Sequence, residues 1–275
     1  MTKTMTRPLL LVGCGKMGNA LLRGWLDRGV AASDVTVIET SEQAASAARD
    51  CGVATLAALD KLQNNFVPRV VVFAVKPQVM LEVVPPYRSL AGPKAMFLSI
   101  AAGKALTFFE THLSLAASVI RAMPNTPAAI GRGMTVLCAN AQASFSDRDL
   151  AENLMAAAGA VAWIEDEALM DGVTAVSGSG PAYIFHMIEC LAAAGVAAGL
   201  PADLSAQLAR ATVEGSAALS HQDGSAPETL RQNVTSPGGT TAAALAVLMD
   251  DVDGLQSVMT RAVATAANRS RELAD

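Results

Sequence analysis

The run Gly13-Cys14-Gly15-Lys16-Met17-Gly18 spells GxGxxG directly after a short apolar run, Pro8 to Val12, and directly before a helical stretch, Asn19 to Arg28. That context carries as much as the spelling. The first glycine permits a tight turn, the second lets the backbone approach a pyrophosphate, and the third lets the helix pack on the strand. The helix amino terminus then offers unpaired N–H groups and a partial positive charge to phosphates. A dinucleotide held by Gly13, Cys14, Gly15, Lys16, Met17 and Gly18 is the expected ligand; a glycine-rich turn without a ligand is the plain alternative. Glu39 closes the second apolar run, Val35 to Glu39. An acid there can accept hydrogen bonds from the adenine-side ribose and repels a 2′-phosphate, which favours NAD. Thr40 and Ser41 follow at once and could instead serve a phosphate, while a surface acid at a strand end is the bland reading of Glu39.

Five further segments place chemistry at sharp positions. Ala74-Val75-Lys76-Pro77 ends a third apolar run with a small residue and a cation, and Ser99 to Gly103, including Ala101, ends a fourth in small residues against which a ring or sugar can lie. Lys76 reads equally well as a solvated loop charge. Arg121-Ala122-Met123-Pro124-Asn125-Thr126-Pro127 holds Asn125 in a stiff polar loop, and Ser177-Gly178-Ser179-Gly180-Pro181-Ala182-Tyr183 opens a long helix with free N–H groups and hydroxyls. Both suit an anion or a carboxamide; we assign Asn125 to the cofactor side and Ser177 to the substrate side. Each also reads as a turn before a helix with proline in its first turn. Finally, Ser236-Pro237-Gly238-Gly239-Thr240-Thr241 precedes the helical stretch Ala242 to Met249. A Pro-Gly-Gly turn clears side chains away from N–H donors at a helix start, a receptor for a small carboxylate. Thr as a mere N-cap is the alternative.

These residues need elements to position them. Apolar runs at Pro8 to Val12, Val35 to Glu39, Val70 to Val75 and Ala95 to Ile100 alternate with helical stretches, the pattern of a parallel sheet with helical crossovers. Ser118 to Met123, Met134 to Ala139 and Val161 to Ile164 are further strand candidates, after which the strand signal stops. The fold class is therefore α/β: a Rossmann-type, mostly parallel sheet domain over residues 1-165, then an all-helical domain over 166-275. Hydrophobic residues make up 52% of the 275-residue chain but aromatics only 4%, so the core rests on Ala, Val and Leu, which suits close-packed helices and parallel strands.

A net charge of −5 with no like-charge run gives nucleic acid or an anionic membrane nothing to bind. The four cysteines lack CxxC spacing, and the three histidines form no i, i+3 or i, i+4 pair, so no metal is expected. Lys3 and Arg7 precede an apolar run too brief for a signal peptide, and the apolar stretch Tyr183 to Leu200 is broken by His186 and Glu189. We expect a cytoplasmic protein whose stretch 183–200 is a buried or interface helix.

Taken together, the glycine loop, the RAMPNTPA run at 121–128, the SGSGPAY run at 177–183 and the stretch from Arg231 through Asp250 around SPGGTT resemble the pyrroline-5-carboxylate reductase family over nearly the whole chain. The resemblance implies hydride transfer to the C=N bond of 1-pyrroline-5-carboxylate, giving L-proline. It implies a helical domain that dimerises with a second subunit, as a homodimer or within a ring of dimers. It also implies NADPH as the usual donor, with NADH accepted; Glu39, standing where many relatives carry a small or polar residue, shifts the expectation toward NADH. On matching positions, the substrate carboxylate falls on the backbone around Gly238, Gly239 and Thr240, and the catalytic hydroxyl nearest the imine nitrogen is that of Thr241. Two rivals stand beside it. A related Rossmann imine or hydroxyacid reductase is one, although a hydroxyacid enzyme needs a lysine base that Ala182 to Leu200 lacks; a non-catalytic NAD(P)-sensing module is the other.

Overall fold

The structure is a computed structural model, and it describes residues 8–273. Lys3 and Arg7, which carry the reading of the amino terminus, lie outside the described residues. The chain forms two compact units. One runs to Gly178 and takes in the chain from Ala266 onward; the other is Ser179–Thr265.

The first unit contains β1 (Leu9–Val12), α1 (Lys16–Asp27), β2 (Val35–Ile38), α2 (Glu42–Arg49), β3 (Ala54–Leu56), β4 (Val70–Phe73), α3 (Met80–Val83), β5 (Met96–Ser99), α4 (Leu106–His112), β6 (Ser118–Met123), β7 (Gly133–Ala139), α5 (Phe145–Ala156), β8 (Gly159–Trp163) and α6 (Met170–Val173). The strands form one sheet in the order β3-β2-β1-β4-β5-β6-β7-β8. Every neighbouring pair is parallel except β6 with β7. Central strands in such a sheet are covered on both faces, which is why β1 reads LLLV and β4 VVVF with every residue buried. Leu9 and Leu11 face α1 and α5, where Trp25 donates its indole N–H to the Leu154 carbonyl at 2.9 Å. Leu10 and Val12 face the opposite layer, built on Phe73, Tyr87 and Phe109.

The sequence reading differs at the sheet's edge and at strand ends. β3 escapes it because three half-exposed residues, Ala-Thr-Leu, form no apolar run. β2 stops at Ile38 and β4 at Phe73, so Glu39 and Ala74 lie just beyond the ladder rather than in it. Val12 is level with both Ile38 and Phe73, and Phe73 with Ser99, so Gly13, Glu39, Ala74 and Ile100 leave the sheet at one carboxyl edge. The order in which strands are added reverses at β1, with β2 and β3 on one side and β4 onward on the other, which makes that edge a switch point where open α/β sheets take ligands.

The second unit contains α7 (Gly180–Ala197), α8 (Ala202–Asp223), α9 (Pro227–Asn233), α10 (Thr240–Leu248) and the start of α11 (Leu255–Glu272). α7 and α8 meet closely at Gly195, where an added Cβ would lie 2.1 Å from Ser205 Oγ, and that hydroxyl donates to the Ala192 carbonyl at 2.6 Å. No residue of α7 is buried within the single chain; Ile184, Phe185, Met187, Leu191 and Val196 are all exposed. Of the two sequence readings for this helix, burial inside its own chain is not what the structure shows. Residues 167–197 form one helical run long and apolar enough to cross a bilayer by length and composition.

Candidate active site

Each glycine of the loop has its own reason. Gly13 adopts φ +89°, and a Cβ on it would press within 2.9 Å of both Val75 and the Ala74 carbonyl. A Cβ on Gly18 would lie 2.5 Å from the Gly13 carbonyl, so the loop folds back onto α1 only without one. Gly15 is different: its backbone is ordinary, with φ −64°, and a Cβ would meet no protein atom within 4 Å. Nothing inside the protein requires glycine there, whereas a pyrophosphate resting on the loop does. Gly15 is also the N-cap of α1 and supplies no side-chain cap, so the helix's first N–H groups remain free for an anion. The loop therefore fits a dinucleotide.

Glu39 joins this loop directly. Its Oε2 accepts the Cys14 N–H at 2.6 Å and its Oε1 accepts the Ser41 N–H at 2.8 Å. Glu39 is thus an acid at a strand end whose carboxylate is bonded into the glycine loop. Burial first, then the Glu39 and Cys51 charges, push the Cys14 thiol up to about 11, with Arg23 opposing them. Cys14 is thus a packing residue of the loop and no nucleophile. Thr40 is exposed, and Ser41 is the N-cap of α2. Lys16 is exposed at the start of α1, while Met17 packs against the core. Ala74, just past the end of β4, donates to the Val12 carbonyl at 2.8 Å, Val75 walls Gly13, and Lys76 is exposed and extended ahead of the short turn opened by Pro77. Ala101 is buried, its N–H donating to Ser99 Oγ at 3.3 Å.

The segment from Ser177 does not begin a helix as expected. A π-helical turn, Thr174–Gly178, follows α6 and runs through Ser179, itself helical in φ and ψ, into α7. The reason is Pro181, which has no N–H and whose ring excludes the carbonyl four residues back, that of Ser177. Asn125 takes up that carbonyl: its Nδ2 donates to Ser177 O at 3.2 Å and to Ser177 Oγ at 3.3 Å, while its Oδ1 accepts the Met134 N–H at 2.9 Å. The Met123 methyl lies 2.3 Å from where a Gly178 Cβ would be, so that flexible side chain packs directly on the glycine. Sequence reasoning missed Met134, whose contribution is a backbone N–H that leaves no mark on residue type. It also missed the ion pair of buried Arg121 with Glu167, whose carboxylate caps α4 by accepting the Leu106 N–H at 2.8 Å. A lone Glu so far from either partner carries no signal.

In the second unit, the Gly239 N–H donates to the Ser236 carbonyl at 3.0 Å and Gly238 has φ +69°. With Pro237 before it, this is the pattern of a type II turn, in which only glycine is at ease in the third position. The helix starts two residues earlier than residue 242 suggested, at Thr240 itself, with Gly239 as an N-cap lacking a side-chain acceptor. No side chain caps its first N–H groups, and the N-cap is Gly239 rather than either Thr. Thr240 is exposed and Thr241 half-buried.

The strand order, the glycine loop at a helix start and the acid bonded to that loop define a Rossmann-type dinucleotide-binding protein. The chain is 39% identical over 266 residues to the pyrroline-5-carboxylate reductase of Pisum sativum, covering 95% of this chain and 94% of that one. It belongs to the pyrroline-5-carboxylate reductase family. A family model described as pyrroline-5-carboxylate reductase dimerisation matches residues 167–273, and one described as NADP oxidoreductase, coenzyme F420-dependent, matches residues 9–103. Among solved structures, a pyrroline-5-carboxylate reductase from Coxiella burnetii superposes with a TM-score of 0.91 at 32% identity, covering 98% of this chain and 100% of that one. One from Plasmodium falciparum with NADP bound superposes at 0.81 with 27% identity, covering 99% and 100%. The sequence-level rivals, a hydroxyacid reductase and a sensor without turnover, give way to this relationship.

Proposed function

We propose that the chain reduces 1-pyrroline-5-carboxylate to L-proline with NAD(P)H. The observation that carries this reading is the identity, sustained over almost the full length of relatives that bear this enzyme's name. Bound NAD(P)H would supply a hydride to the carbon of the protonated imine, whose C=N electron pair then returns to nitrogen to leave the amine. The pyrophosphate rests on the loop from Gly13 to Gly18, with Glu39, Thr40 and Ser41 toward the adenine-side ribose and Ala74 to Pro77 and Ala101 along the coenzyme. NADPH and NADH are both donors, with Glu39 favouring NADH.

The substrate carboxylate is received by the N–H groups of Gly238, Gly239 and Thr240 beside Ser236, with Ser177 a further substrate contact. The ring nitrogen lies two bonds beyond the carboxyl carbon, within reach of the Thr241 hydroxyl. That hydroxyl orients the nitrogen as its charge changes. An iminium is already electrophilic, so the protein's task is to fix the ring and exclude competing geometries rather than to provide a nucleophile. In this reading residues 1-165 bind the coenzyme and residues 166-275 bind substrate and dimerise, the protein works in the cytoplasm, and its homodimers can build a ring.

The test is direct. Purified protein given racemic 1-pyrroline-5-carboxylate and NADPH or NADH should consume the coenzyme and release proline in equal amounts. Coenzyme binding without turnover would return the sensor reading.

A further inference from the structure

Asn125 is held at both ends of its amide. A backbone N–H can only donate, so the 2.9 Å contact from Met134 fixes Oδ1 on that side and turns Nδ2 toward Ser177. There Nδ2 reaches two oxygens: the carbonyl that Pro181 leaves without a helical donor, at 3.2 Å, and the hydroxyl, at 3.3 Å. A hydroxyl oxygen that accepts from an amide points its own proton away from that amide. Among the described residues the Ser177 hydroxyl donates to nothing. Its proton is thus directed away from the Asn125 amide, from a half-buried position on a turn whose backbone is pinned by the same amide.

We infer that Asn125 is a positioning residue, which relays the fixed Met134 N–H into the orientation of Ser177, so that the serine hydroxyl is presented as a donor to the bound imino acid. The inference rests on the reading of Ser177 as a substrate contact, and it replaces the direct cofactor contact expected of Asn125 from the sequence. It also accounts for the residue types. Aspartate offers Ser177 only acceptors, so the serine would turn its proton back onto residue 125 and away from a ligand. Alanine would leave both the Met134 N–H and the Ser177 carbonyl without a partner.

The experiment is a double-mutant cycle in the full-length protein, with Ser177→Ala, Asn125→Asp and the pair combined. KM and kcat for 1-pyrroline-5-carboxylate are measured at saturating NADPH, NADPH Kd by fluorescence titration, and folding by circular dichroism. Each single variant should raise KM about tenfold, the loss of one hydrogen bond to a charged group, with the coenzyme Kd unmoved. The double variant should be no worse than either single one. Asn125→Ala repeats the test without a new charge and should behave alike. Multiplied losses of about a hundredfold in the double variant would show separate roles and overturn the relay. A coenzyme Kd that rises in Asn125→Asp and Asn125→Ala would overturn it in favour of direct coenzyme contact. Ser177→Ala with unchanged KM would instead remove Ser177 from the substrate site, a failure of the underlying reading that the single variant identifies by itself.

Discussion

The Glu39 carboxylate accepts the backbone N–H of Cys14 at 2.6 Å, so an acid from the end of β2 is bonded into the loop that follows β1. The Ser41 N–H holds its other oxygen at 2.8 Å. Its position beside the glycine loop is therefore fixed, and a 2′-phosphate brought there meets a negative charge. Glu39→Ser should raise the NADPH to NADH ratio of kcat/KM by about tenfold or more, since repulsion of about 1.4 kcal/mol already gives that factor. A ratio unmoved in steady-state kinetics with both coenzymes would separate Glu39 from the ribose.

Gly15 and Gly18 should fail in different ways. Gly15→Val places its side chain where no protein atom lies within 4 Å, so the fold tolerates it while the pyrophosphate does not. Coenzyme Kd should rise at least tenfold with little change in Tm. Gly18→Ala drives a Cβ to 2.5 Å from the Gly13 carbonyl, and overpacking of that kind costs about 1 to 3 kcal/mol of stability. Calorimetry and coenzyme titration of both variants make the check; a destabilised Gly15→Val with normal affinity would contradict it.

At the substrate turn, Thr241→Ala should lower kcat/KM for the imine by about one to two powers of ten, the worth of a hydrogen bond to a group whose charge changes, about 1.5 to 3 kcal/mol. Thr241→Ser should be mild. Thr240→Ala should cost less, because that residue's exposed side chain leaves its N–H as the useful group. If Thr240→Ala is the crippled enzyme and Thr241→Ala is near wild type, the two roles are exchanged.

Asp147 ties acid stability to one residue. It forms a capping box with Ser144 at the start of α5, pairs with Arg69 at 2.8 Å, and accepts the Ser118 hydroxyl at 3.0 Å. Burial alone pushes its carboxyl up, but the bonds from Ser144, Arg69 and Ser118 outweigh burial and hold it below the ordinary 3.8. Its stabilisation is thus present above pH 3.8 and lost as pH falls through the lower folded value. Asp147→Asn should lose about 1 kcal/mol at neutral pH in urea melts, with the gap to wild type closing below about pH 4. A gap that persists unchanged in acid would mean the charge contributes nothing.

Self-association should depend on α7. Phe185 is 60% exposed and Ile184 45% exposed in the single chain, within residues matched by the dimerisation family model. Sedimentation should find a dimer or a multiple of it at micromolar concentration, and Phe185→Asp should shift it toward monomer with loss of activity. A fully active monomer would refute the interface.

The sequence by itself determined the fold class, because buried central strands must be apolar throughout and LLLV and VVVF can be little else. It determined the dinucleotide loop, since three glycines at a strand-to-helix junction are a backbone requirement written as residue type. It located the Pro237-Gly238-Gly239 turn for the same reason. What it did not determine are contacts made by backbone groups and by partners distant in the chain. The Cys14 N–H on Glu39, the Met134 N–H on Asn125 and the cap of Leu106 by Glu167 are set by how the sheet brings loops together. β3 was illegible because its pairing with β2 comes from its place at the edge rather than from its own residues. Ser177 opens no helix because Pro181 distorts a turn already in progress, and whether the carbonyl so freed finds a donor depends on an asparagine that only the folded chain brings to it.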